Sequence, residues 1–201
     1  MKSIGNTILY AAADCTGHGV PGALVSVVCS NALDQSVKEL NTTNPAEILE
    51  MTRDLVKANL KSDDNIVRDG MDIALCSIDF ENKHLEFSGA NNPLYIVRNN
   101  ELLITKGDKQ PVGNHYNEKP FTNHSIPIKN GDLIYSFSDG FADQFGGEKG
   151  KKFMYKQFKN LLLSIADKPL IRQQEILNEA FEIWKGDLEQ IDDVCVIGVR
   201  V

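Results

Sequence analysis

Long apolar segments, clustered cysteines and an excess of positive charge are all missing from this sequence of 201 residues. No uninterrupted apolar stretch reaches the roughly 18–20 residues that span a bilayer, and the N-terminus lacks the basic region and apolar core of a signal peptide. The cysteines form no C-x-x-C pair, which argues against a zinc site and a disulfide framework and favours a reducing compartment. We therefore expect a cytoplasmic protein with no membrane segment.

The charge balance argues against a nucleic-acid-binding function. Lys and Arg total 21 against 28 Asp and Glu, a formal net charge of -7, whereas a nucleic-acid groove needs clustered positive charge to meet phosphates. An acidic excess is most often solvated surface, although it also allows a carboxylate-rich cation site. The length suits one domain of ordinary size with a buried core.

The spacing of apolar residues predicts a single α+β domain with no internal repeat and no flexible linker. The four short runs between Met71 and Thr105 predict an antiparallel meander, because turn-forming residues separate them. The predicted elements are a strand in Ile4–Asp14, a turn at Thr16–Gly19, helices at Val20–Leu40 and from Asn44 to about Leu60, a polar break at Lys61–Asp69, strands at Met71–Phe80, His84–Ala90, Leu94–Arg98, Leu102–Thr105, Asn123–Ile128 and Asp132–Ser138, helices at Lys152–Ile165 and Pro169–Trp184, and a buried final strand at Val194–Val201.

Aspartates stand at the ends of three apolar runs. Asp14 follows one run, Asp139 follows another, and Asp192 with Asp193 precedes the last. Each of them alone is more simply a turn residue, because Asp favours turns. Together, however, carboxylates at strand ends can supply the hard oxygen ligands that Mg²⁺ or Mn²⁺ prefers.

Five motifs in one order favour the metal-binding interpretation. They are Ala13-Asp14-Cys15-Thr16-Gly17-His18-Gly19 with Val20-Pro21-Gly22-Ala23, then Ser88-Gly89-Ala90-Asn91-Asn92-Pro93-Leu94, Gln110-Pro111-Val112-Gly113, Tyr135-Ser136-Phe137-Ser138-Asp139-Gly140 and Ile191-Asp192-Asp193-Val194-Cys195-Val196. In this series the chain resembles the SpoIIE-like and RsbU-like branch of the PPM (type 2C) metal-dependent serine/threonine protein phosphatases, and the resemblance covers nearly the whole chain.

The resemblance implies a fold and a two-metal site. The implied fold is a β-sandwich of two antiparallel sheets flanked by helices, formed by one SpoIIE-like PPM domain over residues 1–201. Asp14 and the backbone carbonyl of Cys15 would hold one Mn²⁺ or Mg²⁺, and Asp139 and Asp192 the other, with Asp193 as the second candidate of its pair. The implied reaction is hydrolysis of phosphoserine or phosphothreonine by a metal-activated water.

The resemblance also implies partners. The substrate would be a phosphorylated bacterial signalling protein such as an anti-sigma-factor antagonist, and an upstream sensor or regulatory domain would belong to a longer parent protein. A homodimer is left open. His18, with Gly17, either contacts the phosphate or braces the turn.

One departure from the family pattern lies before Asp14. The resemblance places an earlier strand pair there, with a Gly-Gly-Asp-like motif whose carboxylate bridges the metals, but residues 1–13 contain no acidic side chain. We therefore expect a domain that lacks its first strands and is truncated at its N-terminus, or else a natural variant with a weakened site. The alternative function is a catalytically impaired regulatory module that binds a phosphoprotein or sensor partner, and a weaker one is a phosphohydrolase of small molecules.

Two further features have a simpler structural interpretation. Asp72, at the start of a predicted strand, is expected to be structural rather than a metal ligand. The run Lys149–Lys152 with Lys156 could steer an acidic partner, but such a run is more often a solvated face.

Overall fold

A computed structural model describes residues 1–60 and 69–201, so most of the predicted polar break Lys61–Asp69 lies outside the described residues. The chain divides into two compact units. The first consists of Met1–Leu94 and Thr105–Ile128, and the second of Tyr95–Ile104 and Lys129–Val201. In chain order, the helices and strands are β1 Lys2–Ile4, β2 Thr7–Cys15, α1 Gly19–Leu40, α2 Pro45–Asn59, β3 Gly70–Asp79, β4 His84–Ala90, β5 Leu94–Arg98, β6 Glu101–Thr105, β7 Val112–Gly113, β8 His124–Pro127, β9 Leu133–Phe137, α3 Gly140–Asp143, β10 Phe145–Gly146, β11 Lys151–Lys152, α4 Met154–Ser164, α5 Leu170–Lys185 and β12 Val196–Arg200.

The first unit combines an antiparallel sheet with the helices α1 and α2. Its strands run in the order β1-β2-β3-β4-β8, and the short β7 pairs with the start of β3. Strand β3 is buried along almost its whole length, which explains its nearly continuous apolar sequence. The helix α2 begins as predicted, because the Asn44 side chain accepts hydrogen bonds from the N–H groups of Ala46 at 3.0 Å and Glu47 at 3.3 Å. The hydrophobic core of the first unit includes Cys29, Ile48, Leu49, Val56, Met71 and Ile73.

The second unit has its own sheet and its own aromatic core. The sheet is antiparallel with the order β12-β9-β5-β6, and a separate hairpin is formed by β10 and β11. The helices α4 and α5 follow close to their predicted bounds. The core of this unit includes Phe137, Phe141, Phe153, Phe158 and Phe181, whose rings meet in edge-on and tilted contacts.

The predicted class, α+β with antiparallel sheets flanked by helices, is confirmed. The predicted meander is wrong, because β3 and β4 belong to the sheet of the first unit whereas β5 and β6 belong to that of the second. The sequence Asn91-Asn92-Pro93 separates them. Asn91 adopts a left-handed conformation with φ 57°, and Pro93 has no N–H for a ladder, so β4 is not followed by a tight hairpin.

The final strand also differs from the prediction of a buried strand. In the part of the chain that the structure describes, β12 pairs with β9 along one edge and Gly198 and Arg200 are exposed. An edge position explains why an apolar run is only half-buried here. Among residues 1–60 and 69–201, no helix has the length and apolar character needed to cross a membrane.

Candidate metal centre

In the first unit, Asp14 lies at the end of β2 directly opposite Asp72 of β3. Residues that face each other in an antiparallel pair project to the same side of the sheet, with Cβ atoms roughly 5 Å apart. Two ionised carboxylates in this position repel each other, so a bound cation would stabilise the charged form of both. The next position in the row across the sheet is Asn91, whose amide donates a hydrogen bond to the Asp72 carboxylate at 2.8 Å.

Asp72 therefore has two polar neighbours, Asp14 and Asn91, that the sequence does not reveal. Burial raises the pKa of its carboxyl group, and the hydrogen bond from Asn91 opposes that shift. Its place at the start of a strand predicts only a structural role. Sequence alone could not show the register that sets it beside Asp14, because a strand can pair in several registers.

The turn after Asp14 is anchored by Thr16. Its backbone N–H donates to the Gly70 carbonyl at 3.0 Å, and its hydroxyl accepts from the Gly70 N–H at 3.2 Å and donates to Asp69 at 3.0 Å. Gly17 has φ 89°, a conformation that favours glycine. A Cβ on Gly22 would lie 2.5 Å from the Gly17 carbonyl oxygen, so the first turn of α1 closes directly onto the turn.

Cys15 offers both a carbonyl and a thiol at this turn. Because Thr16 and Gly70 form a hydrogen-bonded pair, the alternation of an antiparallel ladder directs the Cys15 carbonyl away from β3. That direction is compatible with the predicted role of a carbonyl ligand. A hydrogen bond from the Cys29 thiol lowers the pKa of Cys15 to about 7, against partial burial and the nearby Asp14 and Asp72, which raise it.

His18 is exposed at the N-cap position of α1, and its side chain makes no capping hydrogen bond to the described helix. This geometry gives no support to bracing of the turn by a helix cap. Contact with a phosphate stays a prediction for His18 and for Gly17.

In the second unit, the structure brings Asp139 and Asp192 together. A carboxylate oxygen of each lies within 4.8 Å of the other. Asp139 is half-buried at the N-cap position of α3, whereas Asp192 is exposed in the segment before β12. Two carboxylates at this separation, on elements far apart in sequence, form an oxygen donor set that fits a hard divalent cation.

The segment that carries Asp192 is held by Ser138, the residue before Asp139. The Ser138 hydroxyl donates to the Asp193 carbonyl at 2.8 Å and accepts from the Cys195 N–H at 2.9 Å. The Ser138 N–H also donates to the Cys195 carbonyl at 3.0 Å. Gly140 completes the contact, because a Cβ there would lie 2.5 Å from the Asp193 carbonyl oxygen. The serine and glycine around Asp139 therefore position its partner as well.

Asp193 and Gln144 stabilise the same segment. The Asp193 N–H donates to the Asp192 carboxylate at 2.8 Å, so the second aspartate orients the first through its backbone. The Gln144 side chain is fully buried and donates to the Glu189 carbonyl at 2.9 Å. Sequence analysis missed Gln144, because nothing in the polar and apolar residues around it shows that its side chain is buried.

A positively charged side chain, that of Lys152, also lies near this pair of carboxylates. Lys152 forms an ion pair with Asp143 at 2.8 Å, and Asp143 is one helical turn after Asp139. Hydrogen bonding to Asp143, with added attraction from Asp139 and Asp192, raises the pKa of Lys152. The structure thus places Asp14 with Asp72 in the first unit, and Asp139 and Asp192 with Lys152 in the second.

Comparison with a model of the stage II sporulation protein E (SpoIIE) family gives a match over residues 5–201. Among curated proteins no match was found.

Solved structures with this fold include several bacterial phosphatase domains. The SiaA-PP2C domain of Pseudomonas aeruginosa is 28% identical with a TM-score of 0.86, and the match covers 98% of this chain and 81% of that one. The RsbU and RsbW domains of a Mycobacterium tuberculosis protein match with 20% identity and a TM-score of 0.76, over 98% of this chain and 52% of that one. The phosphatase domain of SpoIIE from Bacillus subtilis, with a fragment of its regulatory domain, matches with 17% identity and a TM-score of 0.71, over 100% of this chain and 59% of that one.

Proposed function

Since this chain belongs to the SpoIIE family, in the SpoIIE-like and RsbU-like branch of the PPM phosphatases, we propose that it is a metal-dependent protein serine/threonine phosphatase. The observation that carries the proposal is the Asp139 and Asp192 pair, whose carboxylate oxygens lie within 4.8 Å of each other. A pair of carboxylates of this kind, held by the partly buried hydrogen bonds of Ser138, has no evident role in packing.

The proposed ligands are Asp14, with the carbonyl of Cys15, and Asp139 with Asp192. Two Mn²⁺ or Mg²⁺ ions, when bound, would supply positive charge for the phosphate oxygens and would lower the pKa of a water that attacks phosphorus. The contribution of the chain is geometric: β2 fixes Asp14 through its backbone ladder, and Ser138, Gly140 and the Asp193 N–H fix the other two carboxylates.

The proposed substrate is a phosphoserine or phosphothreonine on a bacterial signalling protein, such as an anti-sigma-factor antagonist. A sensor or regulatory domain in a longer parent protein would control the activity. The second candidate is a non-catalytic module with the same fold that binds a phosphoprotein or sensor partner.

The test is Mn²⁺-dependent hydrolysis of p-nitrophenyl phosphate and of phosphoserine and phosphothreonine peptides, with Asp139→Asn measured alongside. We expect turnover that requires the metal and falls at least about 100-fold in the variant, since loss of a charged metal ligand typically costs several kcal/mol of transition-state stabilisation. Metal-dependent turnover that survives Asp139→Asn would contradict the ligand assignment. No turnover in the wild type, with phosphopeptide binding retained, would favour the non-catalytic module, and a preference for nucleotides would favour small-molecule substrates.

A further inference from the structure

The hairpin of β10 and β11 carries a concentration of positive charge that the proposed catalytic groups do not use. We call Phe145–Lys152 the lysine hairpin. Together with Met154, Gln157 and Trp184 it lines a cavity of about 530 Å³. Among the described residues that line this cavity, the lysine hairpin contributes Lys149, Lys151 and Lys152 and one acid, Glu148. The chain has a net charge of -7, so the three lysines around this cavity are a local excess of positive charge.

The lysine hairpin is anchored rather than loosely attached. The Gly147 N–H donates to the Trp184 carbonyl at 2.8 Å, and the Trp184 indole N–H donates to the Gln144 carbonyl at 3.0 Å. A Cβ on Gly146 would lie 1.9 Å from the Trp184 carbonyl oxygen, so only glycine allows this close approach. The lysines are therefore presented from a backbone of defined geometry, as a preformed binding site requires.

Lys152 connects the lysine hairpin to the candidate metal centre. Its ammonium group contacts Asp143 at 2.8 Å, and the Asp143 N–H donates to the Asp139 carbonyl at 3.0 Å. An ammonium group has three N–H donors. Because the Lys152 side chain is 40% exposed, it can reach a ligand without giving up Asp143.

We propose that the lysine hairpin is a docking site for an acidic segment of the phosphoprotein substrate. The Lys152 ammonium contacts the phosphoryl group, while Lys149 and Lys151 contact acidic side chains next to the phosphorylated residue. This assignment rests on the proposed phosphatase function. A phosphorylated acidic peptide fits because its phosphate would lie beside Asp139 and Asp192 while its carboxylates meet the cavity.

Binding can be measured apart from turnover by fluorescence anisotropy in the presence of Mn²⁺. The probes are two labelled peptides that carry a non-hydrolysable phosphonate analogue of phosphoserine, one with acidic flanking residues and one with neutral residues. We expect the acidic peptide to bind more tightly. Lys149→Met and Lys151→Met should each weaken it about twofold to fivefold, as expected for exposed ion pairs, and leave the neutral peptide unchanged. Lys152→Met should weaken both peptides about tenfold, because it removes a charge-assisted contact with the phosphoryl group.

Two variants provide the controls. Lys156→Met removes the same charge from exposed α4 outside the cavity and should change binding less than twofold. Asp143→Asn removes the ion pair but keeps Lys152, so it should not weaken binding of the neutral peptide. If the ion pair were purely structural, Asp143→Asn and Lys152→Met would weaken peptide binding equally. Equal affinity for the two peptides in the wild type, or an equal effect of Lys156→Met, would overturn the docking site. Peptide binding that follows these predictions without any turnover would support the docking site and contradict the proposed catalysis.

Discussion

The two units position their neighbouring carboxylates in different ways. In the first unit, Asp14 and Asp72 are adjacent because the β2–β3 ladder fixes their register, so the backbone itself sets their distance. In the second unit, Asp139 is the N-cap residue of the short helix α3 and Asp192 lies in the segment before β12, which is held by the side chains of Ser138 and Gln144. A site supported by a ladder should tolerate side-chain substitution around it, whereas a site supported by side chains should not.

The second unit also depends on a buried charge. Arg98 donates two hydrogen bonds to Asp132 at 2.9 and 2.6 Å, and Asp132 is 1% exposed at the start of the strand that leads to Asp139. An exposed pair suitable for comparison, Lys57 with Glu118 of the first unit, is about one third exposed on both sides. Partly exposed pairs contribute little to stability, whereas removing one partner of a buried pair leaves an uncompensated charge.

The largest predicted effect is therefore that of Arg98→Met. We expect the free energy of unfolding to fall by about 3 kcal/mol, while Lys57→Met, the matched change in the first unit, should cost less than about 1 kcal/mol. Chemical denaturation of both variants measures this difference. Equal losses would show that the burial of Asp132 does not raise the cost of removing its partner.

The contribution of the Arg98 and Asp132 ion pair to the free energy of unfolding should depend on pH. Although burial opposes it, hydrogen bonding to Arg98 keeps the pKa of Asp132 below its ordinary value. This contribution to stability is therefore complete above the ordinary pKa of an aspartate, about 4, and is lost as the pH falls through the lower pKa of the folded state. Stability of Arg98→Met should depend less on pH in that range.

The next effect concerns a pair of glycines. Gly22 lies in the first turn of α1 and Gly140 begins α3, and a Cβ added to either one would lie 2.5 Å from a backbone carbonyl oxygen. We expect Gly22→Ala and Gly140→Ala each to cost about 1–3 kcal/mol, since overpacking forces the backbone to shift. Calorimetry checks the stability loss, and Mn²⁺ titration checks the site. Only Gly140→Ala should also displace Asp192 from Asp139, so a larger loss of Mn²⁺ affinity in Gly22→Ala would contradict the comparison.

The smallest effect is that of Asp72→Asn. Removing one of two facing carboxylates should stabilise the metal-free protein by about 0.2–1 kcal/mol, the size of a cross-strand pair interaction. Thermal unfolding in EDTA measures this gain. Asp79→Asn, at the other end of β3, is the control and should give no gain. Destabilisation by Asp72→Asn would mean that its hydrogen bond with Asn91 outweighs the repulsion.

Much of the local structure was predictable, because its causes are local. The Asn44 cap with Pro45 began α2, and helical spacing gave α1, α4 and α5. The assignment of strands to sheets was not predictable in the same way. Nothing within Leu94–Arg98 indicates which of two sheets will accept it, because that choice depends on partners such as β9, far along the chain.

The candidate site shows the same division. The motifs identified Asp14, Asp139 and Asp192, and resemblance to a family gave them a role. The supporting residues were missed, because Ser138, Gly140 and Gln144 act through contacts with a segment about fifty residues away. Asp72 was interpreted as structural because a cross-strand neighbour is invisible until the register is known.

The central claim is that Asp139 and Asp192 hold one metal ion, and a double-mutant cycle tests it most directly. Mn²⁺ binding would be measured by isothermal titration calorimetry for the wild type, Asp139→Asn, Asp192→Asn and the double variant. We expect each single change to weaken binding strongly and the double variant to lose little more, because residues of one site couple. Losses that simply add, or a single variant that binds Mn²⁺ as the wild type does, would contradict a shared centre.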